Sequence, residues 1–271
     1  MTELKQLIEP AELHTYLSQN HLKHICIVDL GSETTYLNGH IPGAVHLPFQ
    51  TLLSGEPPTP GKLANIDKLT QVFSHLGLND DTHFIVYDDE GGGWAGRFIW
   101  TLDVIGHAKY SYVNGGIHAW TLEGYELEKK ANTPIASDVN ISIDRSVIAE
   151  IPEILEGIKT NAITVWDARS LQEYSGTKVL AAKAGHIPGA INCEWTTLMD
   201  QNLGLKIRED ARSLLAELGI DGSKPIVTHC QSHHRSGFTY LVGKLLGFTI
   251  KGYHGSWSEW GNHPDTPVER S

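Results

Sequence analysis

The feature that most constrains this chain is that it repeats itself. The stretch IVDLGSETTYLNGHIPGAVHL (residues 27–47) returns as VWDARSLQEYSGTKVLAAKAGHIPGAINC (165–193). Asp29 answers to Asp167 at an offset of 138, while the shared GHIPGA begins at Gly39 and Gly185, an offset of 146. The extra eight residues of the second copy fall near TKVLAAKA. Further on, FIVYDDEGGGWAGRFIWTLDVIG (84–106) lines up with PIVTHCQSHHRSGFTYLVGKLLG (225–247) at a steady offset of 141. Each half then closes with a glycine and, five residues later, a tryptophan: Gly115 and Trp120, Gly255 and Trp260. A period this long means duplicated domains, not a solenoid of short units. The expected division is one domain over 1–130, a linker over 131–145 within the polar, aperiodic stretch 128–145, and a second domain over 146–271.

Within each half, short apolar runs such as CIVDL and FIVYD alternate with helical patterns. Phe238, Leu241, Val242, Leu245 and Leu246 recur at the spacing of one helix face. Alternating strands and helices imply an α/β fold, here twice over, each half a parallel sheet flanked by helices. HIPGA reads as a tight turn, its proline setting φ at one corner and its glycine free to take positive φ at the next.

Composition narrows the function. The 271 residues are 40% hydrophobic, ordinary for globular domains, and the net charge is −11. Such a surface disfavours nucleic acid and anionic membranes, though a local positive pocket still admits a small anionic substrate. The opening MTELKQLIEP lacks a basic stretch followed by an apolar core, so no signal peptide is expected. No apolar run reaches the ~18 residues that span a bilayer. Three cysteines (Cys26, Cys193, Cys230) do not make a disulfide framework, and a cytoplasmic location is expected.

Chemistry concentrates in VTHCQSHHRSG (227–237). Cys230 ends an apolar run, and a helix is expected to begin near Ser236. The loop between them then curls at the carboxyl edge of a parallel sheet, where such folds place ligands. Amides at a helix amino terminus attract an anion, and a thiolate is one. An ordinary thiol with pKa near 8.5 is only about 3% thiolate at pH 7, so a lowered pKa raises the reactive fraction greatly. Arg235 and a protonated histidine act in the same sense. Cys230, His229, His233 and His234 are zinc-ligand types, but neighbours on a tight loop rarely converge on one ion, and no metal is expected. Cysteine phosphatases place five residues between cysteine and arginine; Cys230 and Arg235 have four. The tighter ring of amides matches one added sulfur better than phosphate.

The duplicated GHIPGA, the strand–Cys–loop–helix, the WDARS segment and the terminal GSWSEWG together resemble a tandem-domain rhodanese, a sulfurtransferase. The resemblance covers essentially the whole chain. It is nearest to the bacterial branch whose loop reads Cys-Gln-x-His-His-Arg, which CQSHHR fits. Thiosulfate enzymes with Cys-Arg-Lys-Gly and mercaptopyruvate enzymes with Cys-Gly-Ser-Gly differ from it there. The resemblance implies that Cys230 attacks the outer sulfur of a donor and carries it as a persulfide to cyanide or a thiol, with no cofactor. The amides of Gln231, Ser232, His233, His234 and Arg235 would hold that sulfur. Arg169 matches a family arginine that helps receive an anionic donor, the alternative being a salt bridge to a neighbouring carboxylate.

Other residues carry two readings. Arg235 binds donor or ties the loop. His233 and His234 present charge near neutrality or supply bulk, shape being favoured for His233. Trp195 walls the pocket or packs in the core, whereas Trp257 and Trp260 read as core. Asp167, recurring as Asp29, suits a structural hydrogen bond. Cys193 reads as a small buried thiol, the alternative being a partner that resolves the persulfide; Cys26 reads as buried and inert. In the first half Asp89 stands at the cysteine position and Trp94 at that of the arginine, so that half is expected to be catalytically inactive, a structural partner covering the active-site mouth. The expected function is sulfur transfer from thiosulfate by a monomeric enzyme. The alternatives are mercaptopyruvate as donor, or a persulfide carrier serving a protein partner.

Overall fold

The computed structural model describes residues 4–19 and 24–270, so the first three residues of MTELKQLIEP lie outside the described residues. Strand β1 (Leu7–Ile8) leads into α1 (Pro10–Ser18), β2 (Ile25–Asp29), α2 (Glu33–Asn38) and β3 (Val45–His46). Next come α3 (Ile66–His75), β4 (His83–Tyr87), α4 (Gly93–Val104), β5 (Tyr110–Val113) and α5 (Gly116–Leu122). The second half opens with α6 (Ile151–Lys159), β6 (Thr164–Asp167), α7 (Leu171–Ser175) and β7 (Ile191–Asn192). It continues through β8 (Met199–Asp200), β9 (Lys206–Ile207), α8 (Ala211–Glu217), β10 (Ile226–His229), α9 (Arg235–Leu245), β11 (Ile250–Gly252) and α10 (Ser256–Trp260). Among the described residues no helix is long and apolar enough to cross a membrane.

Two compact units result, and neither is continuous in sequence. The first comprises Met1–Leu52, Ala64–Ile143 and Met199–Ile207; the second comprises Leu53–Leu63, Asp144–Leu198 and Arg208–Ser271. Each unit thus contains a segment from the other half of the sequence, and both segments directly follow a short 3-10 turn, Phe49–Leu52 or Trp195–Leu198. In the first unit Lys206 pairs with Glu9 and Glu123, and the Ile207 N–H donates to Asn114 Oδ1 at 2.8 Å. In the second, the Leu63 N–H donates to His254 Nδ1 at 3.1 Å, and Lys62 pairs with Glu259. Long-range polar contacts of this kind leave no periodicity in the sequence.

The first unit holds a five-stranded sheet in the order β1-β5-β4-β2-β3, every pair parallel. The second holds a four-stranded parallel sheet in the order β11-β10-β6-β7. Strands buried on both faces read as apolar runs because successive side chains point to opposite sides. In β4, Ile85 packs with Leu13 of α1 and Trp120 of α5, while its neighbour Phe84 meets Phe73 of α3 and Phe98 of α4. In β10, Val227 joins Ile154 of α6 and Trp257 and Trp260 of α10; the adjacent Thr228 bonds Thr239 of α9 at 2.6 Å.

The duplication extends to single hydrogen bonds. In each GHIPGA the alanine N–H closes a turn onto the isoleucine carbonyl, Ala44 to Ile41 at 3.0 Å and Ala190 to Ile187 at 2.9 Å. The intervening Gly43 and Gly189 take φ of 81° and 71°, the positive φ required one corner after proline. His40 stacks on Tyr36 and His186 on Tyr174, with ring centroids 3.9 and 3.7 Å apart. Both tyrosine hydroxyls donate back to the turn, Tyr36 to the Ala44 carbonyl at 2.9 Å and Tyr174 to the Ala190 carbonyl at 2.6 Å. The Tyr36 hydroxyl also accepts the Asn132 N–H at 3.0 Å. Tyr174→Phe is therefore expected to cost about 0.5–1.5 kcal/mol in urea unfolding, and Tyr36→Phe more, about 1–3 kcal/mol, because it leaves the Asn132 N–H without its acceptor and the Ala44 carbonyl with only the Asn132 amide at 3.1 Å.

Candidate active site

The site is built where β10 ends. β10 lies between β11 and β6, and Cys230 follows directly on its last residue, His229. Helix α9 begins at Arg235, so Gln231, Ser232, His233 and His234 form the whole connection. So tight a loop demands unusual backbone: His233 adopts φ of 57°, a left-handed conformation that costs a non-glycine residue about 1–2 kcal/mol. The loop is held from behind by the start of α10. The Cys230 carbonyl accepts the Trp257 N–H at 2.9 Å and the Gln231 carbonyl the Ser258 N–H at 3.0 Å. The Cys230 N–H donates to Ser256 Oγ at 3.3 Å. Ser256 is itself strained, at φ of 52°.

Cys230 is buried, 1% exposed. Burial pushes its thiol up, but the charge of Arg235, hydrogen bonds from the Ser236 hydroxyl and N–H, and the proximity of His234 outweigh it and hold the pKa at about 7. The Ser236 hydroxyl has one proton. If that proton goes to the sulfur, His233 Nδ1, 2.7 Å from Ser236 Oγ, must be the donor in its own contact. The result is a chain from imidazole N–H to hydroxyl to thiolate, which assigns His233 its tautomer.

Arg235 is fixed by Glu173. Its two terminal nitrogens donate to Glu173 Oε2 at 2.7 Å and Oε1 at 2.9 Å, a fork-to-fork pair. Glu173 is buried and closes the capping box of α7 with Ser170. Burial favours its neutral form, yet the Arg235 bonds and charge, with Ser170, hold its pKa at about 2. The carboxylate therefore stays charged and the guanidinium stays aimed.

Arg169 carries two expectations, donor binding and a salt bridge to a neighbouring carboxylate. It is 1% exposed, its Nε and one terminal nitrogen donate to Asp167, and that terminal nitrogen also reaches the Gly185 carbonyl at 2.8 Å. Its guanidinium stacks 4.3 Å over the Trp257 ring. The salt bridge to a neighbouring carboxylate is the arrangement present. His229, fully buried, lies 3.6 Å from the same Asp167; burial pushes its pKa down, against the pull of the carboxylate. Trp195 is half-buried, its ring 5.7 Å from that of His234 and edge-on to Phe238. The Gln231 amide donates to the Leu180 carbonyl at 3.3 Å, so the eight-residue insertion of the second half touches the loop.

The rhodanese-like domain model matches residues 9–123 and again 150–263. The chain belongs to the rhodanese family. It is 50% identical over 267 residues to a thiosulfate sulfurtransferase of Azotobacter vinelandii, covering 98% of this chain and 97% of that one. It is 31% identical to a 3-mercaptopyruvate sulfurtransferase of Escherichia coli, over 86% of this chain and 84% of that one. A sulfur carrier protein of Thermus thermophilus is 33% identical, over 87% of each chain. Among solved structures, an anaerobic ergothioneine biosynthesis enzyme from Chlorobium limicola superposes with a TM-score of 0.84 at 22% identity, over 98% of this chain and 70% of that one, a likeness of fold.

The other unit of this rhodanese shows what became of the same loop without the cysteine. Asp88, at the position of His229, turns its buried carboxylate into the start of α4 and accepts N–H groups from Glu90, Gly92, Trp94 and Ala95 at 2.7–3.1 Å. The cradle survives there, filled by the chain's own anion. Asp89 instead accepts from Ser32 and Thr35. Cys193 is buried and its thiol is pushed up to about 11, by burial first and then by Glu194. Cys26 is half-buried, not fully buried as expected, and burial pushes its thiol up to about 12.

Sequence reasoning missed Glu173 and Ser236. Both had signals: Ser170 and Glu173 have capping-box spacing, and a serine directly after Arg235 sits in the first turn of the helix facing the thiol. Glu173→Gln is expected to cost about 2–4 kcal/mol, since Arg235 loses its counter-charge while remaining partly buried. Because the folded pKa of about 2 lies below the ordinary 4.5, this stabilisation is complete above pH 4.5 and fades as pH falls toward 2. Unfolding curves of the two proteins should therefore differ most near neutrality and converge in acid.

Proposed function

We propose that this rhodanese transfers sulfane sulfur from thiosulfate to a thiophilic acceptor, cyanide or a thiol, through a persulfide on Cys230. The observation that carries the reading is the Cys230 thiol held at a pKa of about 7 at the amino terminus of α9, with Ser236 and Arg235 on it. At neutral pH roughly half of such a thiol is thiolate. The thiolate attacks the outer sulfur of thiosulfate; the sulfur–sulfur bond breaks and sulfite departs with the electron pair. The acceptor then attacks the terminal sulfur of the persulfide and returns Cys230 as thiolate. No cofactor is required, because cysteine carries the group.

Roles follow from placement. In this reading the Gln231, Ser232, His233, His234 and Arg235 amides hold the terminal sulfur, and the Arg235 guanidinium, which Glu173 fixes, offsets the charge of the anionic donor. Trp195 and His234 form one wall of the mouth. Arg169 is a positioning residue: it fixes Asp167 and supports Trp257, whose N–H holds the Cys230 carbonyl. Thiosulfate is favoured over mercaptopyruvate by the 50% against 31% identity of the respective relatives. The loop CQSHHR supports membership of the branch with that signature, and a cytoplasmic monomer fits a chain already carrying two homologous halves and three free cysteines.

Steady-state turnover of thiosulfate with cyanide tests the reading. Cys230→Ser is expected to lose on the order of a thousandfold or more, while Cys193→Ser stays within about twofold. Mass spectrometry after thiosulfate treatment should find one added sulfur on Cys230, removed by cyanide. Sulfur loaded only from mercaptopyruvate would change the donor, and transfer only to a protein acceptor would make the chain a carrier.

A further inference from the structure

The second unit contains Leu53–Leu63, eleven residues from the half of the sequence that lacks the cysteine. This arm is stiffened by its own hydrogen bonds, Ser54 N–H to the Lys62 carbonyl at 2.8 Å and Gly55 N–H to the Pro60 carbonyl at 3.0 Å. It is tied down by Lys62, which pairs with Glu259 and lies 4.0 Å from Glu150, and by the Leu63 N–H on His254. Between those ties sits Gly61, packed directly on the active-site loop. A Cβ there would collide with the Ser232 carbonyl oxygen and come within 2.7 Å of Ser232 Cβ.

That contact falls on the one peptide of the loop with a reason to turn over. A trans peptide is planar, so the orientation of the Ser232 carbonyl fixes the opposite orientation of the His233 N–H. The observed orientation forces His233 to φ of 57°, and rotating the peptide would relieve that strain. It would also swing a carbonyl oxygen toward the sulfur where an N–H belongs, replacing attraction for an anion with repulsion.

We propose that Gly61 and Lys62 are positioning residues for sulfur transfer: the arm 53–63 acts as a stop that holds the Ser232–His233 peptide with its N–H toward the Cys230 sulfur. The inference rests on the sulfur-transfer reading for what the loop holds, but not for how the loop is held. It gives the half without Cys230 a direct part in building the anion cradle. Glycine is required at position 61 because only a bare backbone fits against the carbonyl; lysine at 62 sets how firmly the arm is pressed.

The test is the pH profile of Cys230 alkylation by iodoacetamide, alongside turnover, in Gly61→Ala and in Lys62→Met full-length protein. Gly61→Ala is expected to raise the alkylation midpoint by about one pH unit and lower kcat/KM about tenfold or more. Lys62→Met, which adds no bulk at the contact, should move both in the same direction by roughly threefold to tenfold in kcat/KM. A general loss of stability would lower the amount of active protein without moving the midpoint. An unshifted midpoint in the folded variants overturns the proposal even if turnover falls. If Gly61→Ala does not fold, Lys62→Met decides alone. Absence of a persulfide in the unsubstituted protein would sink the sulfur-transfer reading, while the alkylation profiles would still report on the arm.

Discussion

A negative sulfur buried at the end of a parallel strand is the constraint around which the second unit is arranged. Burial alone drives a thiol toward its neutral form, as it does at Cys193 and Cys26. At Cys230 the same penalty is met by a helix amino terminus, a hydroxyl and a guanidinium, and the balance reverses. Each of those groups is held by something further out. Ser236 is held by His233, Arg235 by Glu173, Glu173 by Ser170, and the Cys230 backbone by Trp257 and Ser256. The two non-glycine residues of this unit's loops at φ above 50° that flank the thiol, His233 and Ser256, mark where backbone strain is kept for the sake of the site.

The two units show how one scaffold carries an anion in two ways. Both place a tight loop between a buried strand and a long helix. In the first unit the acceptor is part of the chain, the Asp88 carboxylate, whose pKa burial and Glu90 raise to about 6 against the bonds from the surrounding amides. In the second, His229 holds the equivalent position and lies against Asp167, while the Ser236 N–H and hydroxyl bond the sulfur of the next residue.

Much of this was legible in the residues. The duplication gave two α/β units, and proline followed by glycine in GHIPGA gave the turn with its positive φ. The cysteine loop pointed to the candidate site because position, glycine, arginine and helix agree over eleven consecutive residues, and the strand–loop–helix expected around Cys230 is present. What escaped lies in contacts between residues far apart in sequence. Arg169 and Glu173 belong to one short stretch, yet only the folded chain shows that Glu173 meets Arg235 while Arg169 turns inward to Asp167. The membership of 53–63 in the second unit was equally hidden, since a proline- and glycine-rich loop carries no periodicity that names its neighbour.

The most direct measurement is the ultraviolet titration of the thiolate itself, taken as the difference between the unsubstituted protein and Cys230→Ser across the pH range in which both stay folded. A single transition centred near pH 7 is expected, because Arg235 and the Ser236 hydroxyl and N–H outweigh burial at this one cysteine. A midpoint at or above the ordinary thiol value of about 8.5 would mean that the loop does not stabilise the sulfur anion, and the assignment of its amides and of Arg235 would fall with it.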